Sequence, residues 1–460
     1  MTATLSRQRP QPGPPRPYSF PDFEVRSLSS GFRLVSCHVA GRPIGAARLI
    51  FEAGAENEPE GAEGAASLAA KGLVEGTKNY DALAFVEAAE RLGADILSTA
   101  DFDALEVAVS VPIVRMEPAL ELLAEAVRRP VFPETEIERL RQERLNQIMQ
   151  QFARPELRAQ LGLLERIYTK DSPYSRPPGG SFETVSRLST QVVEEFYRTF
   201  ATPGSATLIV CGDLEGIPVD KIAEGLFGDW SLTEPKRDAP PNMEAPGEPQ
   251  VTIVNRPGSV QSAIVAGHVG LPRLHPDYFP AAAMLAAVGG LFNSRLNMKL
   301  REEKGYTYGA RAMNHYRRQA GPFFARSSVA TAVTKEALSD TFEVIRSTHD
   351  EGITESELAD AKDYLLGVFP LRFETPENIA EALSLWVTYG LPDNYFETYR
   401  SNMEAVSLNK ANEAAAIHLK IDRMQIVIVG DAGVIHEPLQ QSGLGTVEVV
   451  EDAPLGKGPA

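Results

Sequence analysis

The segment GGLFNSRLNMKLREEKGYTYGARA, residues 289–312, holds the residue types best suited to gripping a carbonyl oxygen. The Arg301 guanidinium is a permanent fork of hydrogen-bond donors. The Tyr308 hydroxyl can donate to an oxyanion as negative charge develops. On spacing alone a plainer role competes, in which Arg301 pairs with Glu302 or Glu303 on a surface helix and Tyr308 lies in the core. Tyr306 is the second choice for the phenol. His268 and His275, in GHVGLPRLH, stand seven residues apart. No carboxylate or cysteine accompanies them at ligand spacing, so they read as satisfied or exposed histidines rather than metal ligands. PPGGSF, residues 177–182, lacks the G-K-[ST] of a phosphate loop and reads as a turn. Cys37 and Cys211 sit in the apolar runs RLVSCHVAG and TLIVCGDL and read as buried, reduced thiols. A disulfide between them requires the fold to bring them together.

These residues need elements to position them. The chain has 460 residues, 43% of them hydrophobic, which suits several globular domains. The net charge of −17 argues against a nucleic-acid backbone as partner. No apolar run reaches the roughly 18 residues of a membrane helix, and no secretory leader is legible, so the cytoplasm is the expected location. The Pro-rich stretch 1–22 reads as a flexible arm. AARLIFEAG and ALEVAVSVP read as strands by β-branched content, and 80–92, 116–128 and 135–152 as helices by 3–4 spacing. The pattern then repeats. ATLIVCGDLEG resembles MQIVIVGDAGV 218 residues on, and FPETEIERLRQERL resembles ITESELADAKDYLL at a nearly equal offset of 221. Two matches at one offset imply a duplicated domain of ordinary size. The expected layout is a first domain at 23–230, a Pro- and charge-rich linker at 231–250, a second domain at 251–449 and a frayed tail at 450–460. Strands and helices in runs indicate an α+β fold, each half a mostly antiparallel sheet covered by helices.

The stretch GAASLAAKGLVEGT, residues 64–77, resembles the metal-binding helix of the pitrilysin and insulinase (inverted zincin) peptidases. That helix carries H-x-x-E-H within a frame close to G-x-A-H-x-x-E-H-x-x-x-x-G-T. The frame remains as Gly64, Ala66, Gly76 and Thr77. Ser67, Ala70 and Lys71 stand where the His, Glu and His belong. The family's third ligand, a Glu further along, falls on Gln147 in LRQERLNQIMQ. A hydroxyl, a methyl, an ammonium and a carboxamide cannot replace the imidazole and carboxylate donors of zinc. No metal is therefore expected in this chain. Residues 289–312 resemble the family's S-R-L-x-x-x-L-R-E-x-x-G-x-x-Y segment. The resemblance implies that Arg301 and Tyr308 touch substrate backbone across from zinc. It also implies that Ala100, Asp101 and Phe102 lie in an edge strand that pairs with extended peptides.

The joint pattern of four lost and two kept positions implies the non-zinc subunit of a heterodimeric peptidase. Its homologous partner, with an intact H-x-x-E-H, would carry the zinc, and the substrate would be an unfolded peptide. The subunits of the mitochondrial processing peptidase are similar. Two rivals remain: a scaffold like the core subunits of respiratory complexes, and a non-catalytic peptide-binding homodimer.

Overall fold

Runs of Val, Ile, Leu and Ala build the centres of two sheets. The computed structural model describes residues 17–231, 233 and 247–452. The first sheet comprises β1 (Phe23–Ser27), β2 (Arg33–His38), β3 (Ile44–Phe51), β4 (Asp95–Ala100), β5 (Leu105–Pro112) and β6 (Ala206–Gly212), in the order β1-β2-β6-β3-β5-β4. The second comprises β7 (Gln250–Asn255), β8 (Gln261–Val269), β9 (Ala310–Asn314), β10 (Pro322–Ala330), β11 (Gln425–Gly430) and β12 (Thr446–Glu451), in the order β12-β7-β11-β8-β10-β9. β2 and β6 pair in parallel, as do β7 and β11, and β12 and β7; the other neighbours are antiparallel. The fold is thus the expected α+β pair of similar halves. The repeated motifs form matching strands, β6 and β11, each inside its sheet.

Every residue of β6 and β11 is buried. Strands covered on both faces read as continuous apolar runs rather than alternating ones. One face of the first sheet packs on its own helices. Leu49, Phe51 and Val107 meet Leu68 of helix Ala65–Gly72 and Leu120 of helix Met116–Arg128 in one core. The other face packs on a helix from the second half. Val35, Ile50 and Ile209 join Ile379, Leu383 and Trp386 of helix Pro376–Tyr389. The second sheet receives a helix in return. Leu163 and Ile167 of helix Pro155–Ile167 pack against Val254, Val265 and Val427. Gly267 on β8 admits this helix closely: a Cβ there would lie 3.0 Å from Leu163 Cδ2 and 2.2 Å from the Phe323 carbonyl oxygen.

Polar contacts fix the register of the exchange. Ser110 Oγ donates to Glu377 at 2.6 Å, and Ser384 Oγ to Glu106 at 2.9 Å. The Tyr174 hydroxyl donates to Asp103 Oδ1 at 2.7 Å, and the Arg318 amide donates to Asp103 Oδ2 at 3.1 Å. Arg317 stacks over Phe102 at 3.8 Å and Tyr174 at 4.6 Å.

Three sequence expectations need correction. Part of the expected arm is packed: Phe20 is buried and stacks on Phe396 at 3.9 Å, because helix Tyr395–Glu404 leaves an aromatic surface to cover. The first sixteen residues lie outside the described ones. The expected tail is ordered at its start, since β12 runs to Glu451 and Asp452 neutralises the buried Arg158 at 3.3 Å and also pairs with Arg256. The edge strand β4 ends at Ala100, so Asp101 and Phe102 form the following turn. Asp101 accepts the amides of Asp103 and Ala104, each at 2.8 Å, and Phe102 is buried under Arg317, so neither is open to an incoming strand. Most of the expected linker (232, 234–246) also lies outside the described residues.

The fold does bring the two cysteines together. Cys37 and Cys211 are register partners on β2 and β6. Both are free and fully buried, and burial pushes the Cys211 thiol well up.

Because each half covers the other's sheet, Leu163→Ala should destabilise the whole chain by about 2–5 kcal/mol, the range for a core truncation. Urea unfolding followed by fluorescence should show one shifted transition rather than loss of the second half alone.

Candidate functional site

Helix Ala65–Gly72 starts at Gly64, whose φ of 103° favours glycine. Its free amides are met by Glu58, which accepts from Gly64 at 3.0 Å and Ala66 at 2.8 Å. Burial pushes the Glu58 carboxyl up to about 8, against the pull of those amides and of Arg176. Ala70 is buried, and its carbonyl accepts the Ser98 hydroxyl at 2.6 Å. Ser67 and Lys71 are half-buried.

Helix Glu134–Ala153 crosses this face. Lys71 Nζ reaches Glu143 Oε1 at 3.2 Å, and Gln147 Nε2 donates to the same oxygen at 2.8 Å. Positions 71 and 147 therefore share one carboxylate partner. Glu143 was not singled out from the sequence. Its carboxylate bridges them, and a lysine ammonium occupies it. Arg139 adds a second positive charge 3.7 Å from Glu143. These residues do not fit zinc: the donor set is one carboxylate, one carboxamide and one hydroxyl, and an ammonium repels a dication.

Arg301 lies in a π-helical turn, Met298–Glu303, that follows the short helix Arg295–Asn297. Such turns are rare and concentrate at functional sites. The Arg301 side chain is 37% exposed and stands 3.4 Å from Glu302. Its guanidinium lies 4.6 Å from the ring of Phe292, itself exposed. Tyr308 sits on the loop before β9 and is 94% exposed, so it is no core residue. Tyr306 packs against the second core instead. The π-helical turn, the loop before β9 and the residues ahead of helix Arg295–Asn297 thus expose a guanidinium and two aromatic rings. Phe292 carried no motif and was missed.

The histidines separate. His268 is fully buried on β8. Its Nε2 accepts the Lys420 amide at 3.2 Å, which leaves the proton on Nδ1 to be donated to the Val269 carbonyl at 3.0 Å. Burial outweighs the pull of that carbonyl and of the Asp422 carboxylate and lowers its pKa to about 4. His275 does have a carboxylate neighbour, contrary to expectation: Asp277 Oδ2 lies 3.9 Å from its Nδ1. His418, 141 residues beyond Asp277, completes the group. Residues 177–182 lead into helix Phe182–Arg187, and Arg144 donates to the Gly179 carbonyl at 2.7 Å, a structural turn as expected.

Comparison with known proteins bears on the family and the fold. Residues 33–176 match the family model described as Insulinase (Peptidase family M16). Residues 187–365 match the model described as Peptidase M16 inactive domain. A Helicobacter pylori protein described as the non-peptidase homolog YmxG is 22% identical over 392 residues, covering 85% of this chain and 89% of its own. A crystal structure of a peptidase M16 inactive domain from Pseudomonas fluorescens superposes with a TM-score of 0.83 at 25% identity, over 89% of this chain and 98% of that one. A chain of complex III2 from Candida albicans shares the fold, with a TM-score of 0.75 at 13% identity over 91% of this chain and 99% of that one. The chain belongs to the insulinase-type peptidase M16 family. No helix among the described residues is long and apolar enough to cross a membrane.

His268 yields a pH dependence. Its folded pKa, about 4, lies below its ordinary value of 6.5. Between these values the unfolded chain binds more protons, so this stability is intact above pH 6.5 and is lost as pH falls towards 4. Urea unfolding should show about 2 kcal/mol less stability from this group at pH 5 than at neutrality. His268→Gln should flatten that part of the profile.

Proposed function

We propose that this chain is the non-zinc, substrate-gripping subunit of a heterodimeric zinc peptidase that cleaves unfolded peptides in a closed chamber. One contrast carries the reading. An ammonium stands at one of the positions that the resemblance assigns to metal ligands, while Tyr308 is 94% exposed and Arg301 half-exposed. A homologous partner with an intact H-x-x-E-H would hold the zinc. Arg301 would grip a backbone carbonyl of the peptide. Tyr308 would donate to the oxygen on which charge develops. Neither side chain stabilises this chain's core, so both are free for that work. Closure of the partner over the loop would exclude water and order the phenol. Ala100, at the end of edge strand β4, offers main-chain pairing to an extended peptide.

A scaffold without catalysis is favoured by one observation, the description of the Helicobacter pylori relative as a non-peptidase homolog. The two readings separate in one assay. The chain is purified with and without an H-x-x-E-H partner, and cleavage of a quenched fluorescent peptide is followed. The chain alone should be inactive and the pair active. In the pair, Arg301→Ala and Tyr308→Phe should each lower turnover about tenfold to a thousandfold, the range for one oxyanion donor. Unchanged rates would assign both residues to structure and favour the scaffold.

A further inference from the structure

The second half holds a cluster of donors that no conserved-looking motif announced. His275 and Asp277 lie just before helix Tyr278–Leu285, and His418 is the last residue of helix Leu408–His418. One ligand atom from each lies within 4.8 Å of the others. His418 Nε2 is 2.8 Å from Asp277 Oδ2, and His275 Nδ1 is 3.9 Å from the same oxygen. The two imidazole rings stand nearly perpendicular, 5.1 Å apart.

Two features suit a cation here. Asp277 precedes its helix without spending its carboxylate on a cap. The C-terminal end of an eleven-residue helix, where His418 sits, carries partial negative charge. Zinc donors lie about 2.0–2.1 Å from the metal, so tetrahedral neighbours are roughly 3.3 Å apart. The observed 2.8 and 3.9 Å straddle that spacing, and small rotations of three side chains would reach it. An ion on His275 Nδ1 would displace the 3.1 Å hydrogen bond from the Asp277 amide. The Lys420 ammonium, near His275, opposes the ion but is drawn towards the Val269 carbonyl at 3.5 Å. The side chains of His275, Asp277 and His418 are 31%, 39% and 11% exposed, which leaves an open side for water as a fourth donor.

We propose that His275, Asp277 and His418 form a binding site for zinc(II), two imidazoles and one carboxylate with a remaining position for water. The site lies in a different half from the Lys71–Glu143–Gln147 cluster and is independent of the catalytic reading above. The ion would pin helix Leu408–His418 to the start of helix Tyr278–Leu285, whose residues Ala414 and Ala281 already pack together.

The test is equilibrium dialysis of the full chain against zinc chloride, read by elemental analysis, with thermal unfolding in parallel. The wild-type chain should retain one equivalent with a Kd at or below about 10 μM. Bound zinc should raise Tm by about 2 °C or more. Asp277→Asn and His418→Ala should each weaken binding by more than the roughly 10–100-fold that loss of an outer contact costs. Asp277→Asn keeps the side chain's shape and decides the matter if His418→Ala fails to fold in EDTA. Absence of stoichiometric zinc in the wild type, or its undiminished retention in Asp277→Asn, would overturn the site.

Discussion

Each sheet of this molecule is apolar on both faces and has enough helices of its own to cover only one. That constraint organises the rest. The first half lends helix Pro155–Ile167 to the second sheet, and the second half lends helix Pro376–Tyr389 to the first. Neither half alone can hide Ile209 or Val427 from water, so the duplicated domains form one body despite their separate cores. The polar contacts at the seam follow from this. Asp103, 2% exposed, is tolerated because Tyr174 and the Arg318 amide satisfy both its oxygens. Arg317 packs its guanidinium against two rings at the same seam.

A rigid body of this kind leaves function to its surfaces, and two of them carry opposite messages. Where helices Ala65–Gly72 and Glu134–Ala153 face each other, Glu143 is neutralised from within by Lys71 and hydrogen-bonded by Gln147. The local charge balance is closed, with no role left for a dication. Around the π-helical turn Met298–Glu303 and the loop after it the balance is open. Arg301 has a single poor carboxylate contact at 3.4 Å, and Tyr308 and Phe292 spend apolar surface on water. Exposed aromatic rings beside an arginine have the composition of an interface core rather than of free surface.

The sequence showed the halves because β6 and β11 are buried on both faces, so their apolar runs and following Gly-Asp pairs stayed similar. Helix-face spacing related Ser67, Ala70 and Lys71, whereas Gln147 was linked to them only by the resemblance to the inverted zincins. The misses share a physical origin. The turn at Asp101–Phe102 was taken for strand because the resemblance places an edge strand there, yet Asp101 captures two amides and ends the pairing. Phe20 looked like part of a Pro-rich arm, since nothing local shows that Phe396 lies ready to stack with it. Glu143 and the grouping of Asp277 with His418 depend on contacts made across the fold. The latter two are 141 residues apart, and no spacing rule reaches that far.

The sheets differ in how their outer edges are closed. β1 shields β2 from the N-terminal side, and β12 shields β7 from the C-terminal side. β7 is apolar and buried along Val251, Ile253 and Val254. Without β12 its row of amide and carbonyl groups would be bare, beside side chains prone to stick. The last strand thus works as a guard against self-association. A nick or a tightly fused tag at that end would threaten solubility before it threatened the shape of the Arg301–Tyr308 loop on the opposite edge of the same sheet.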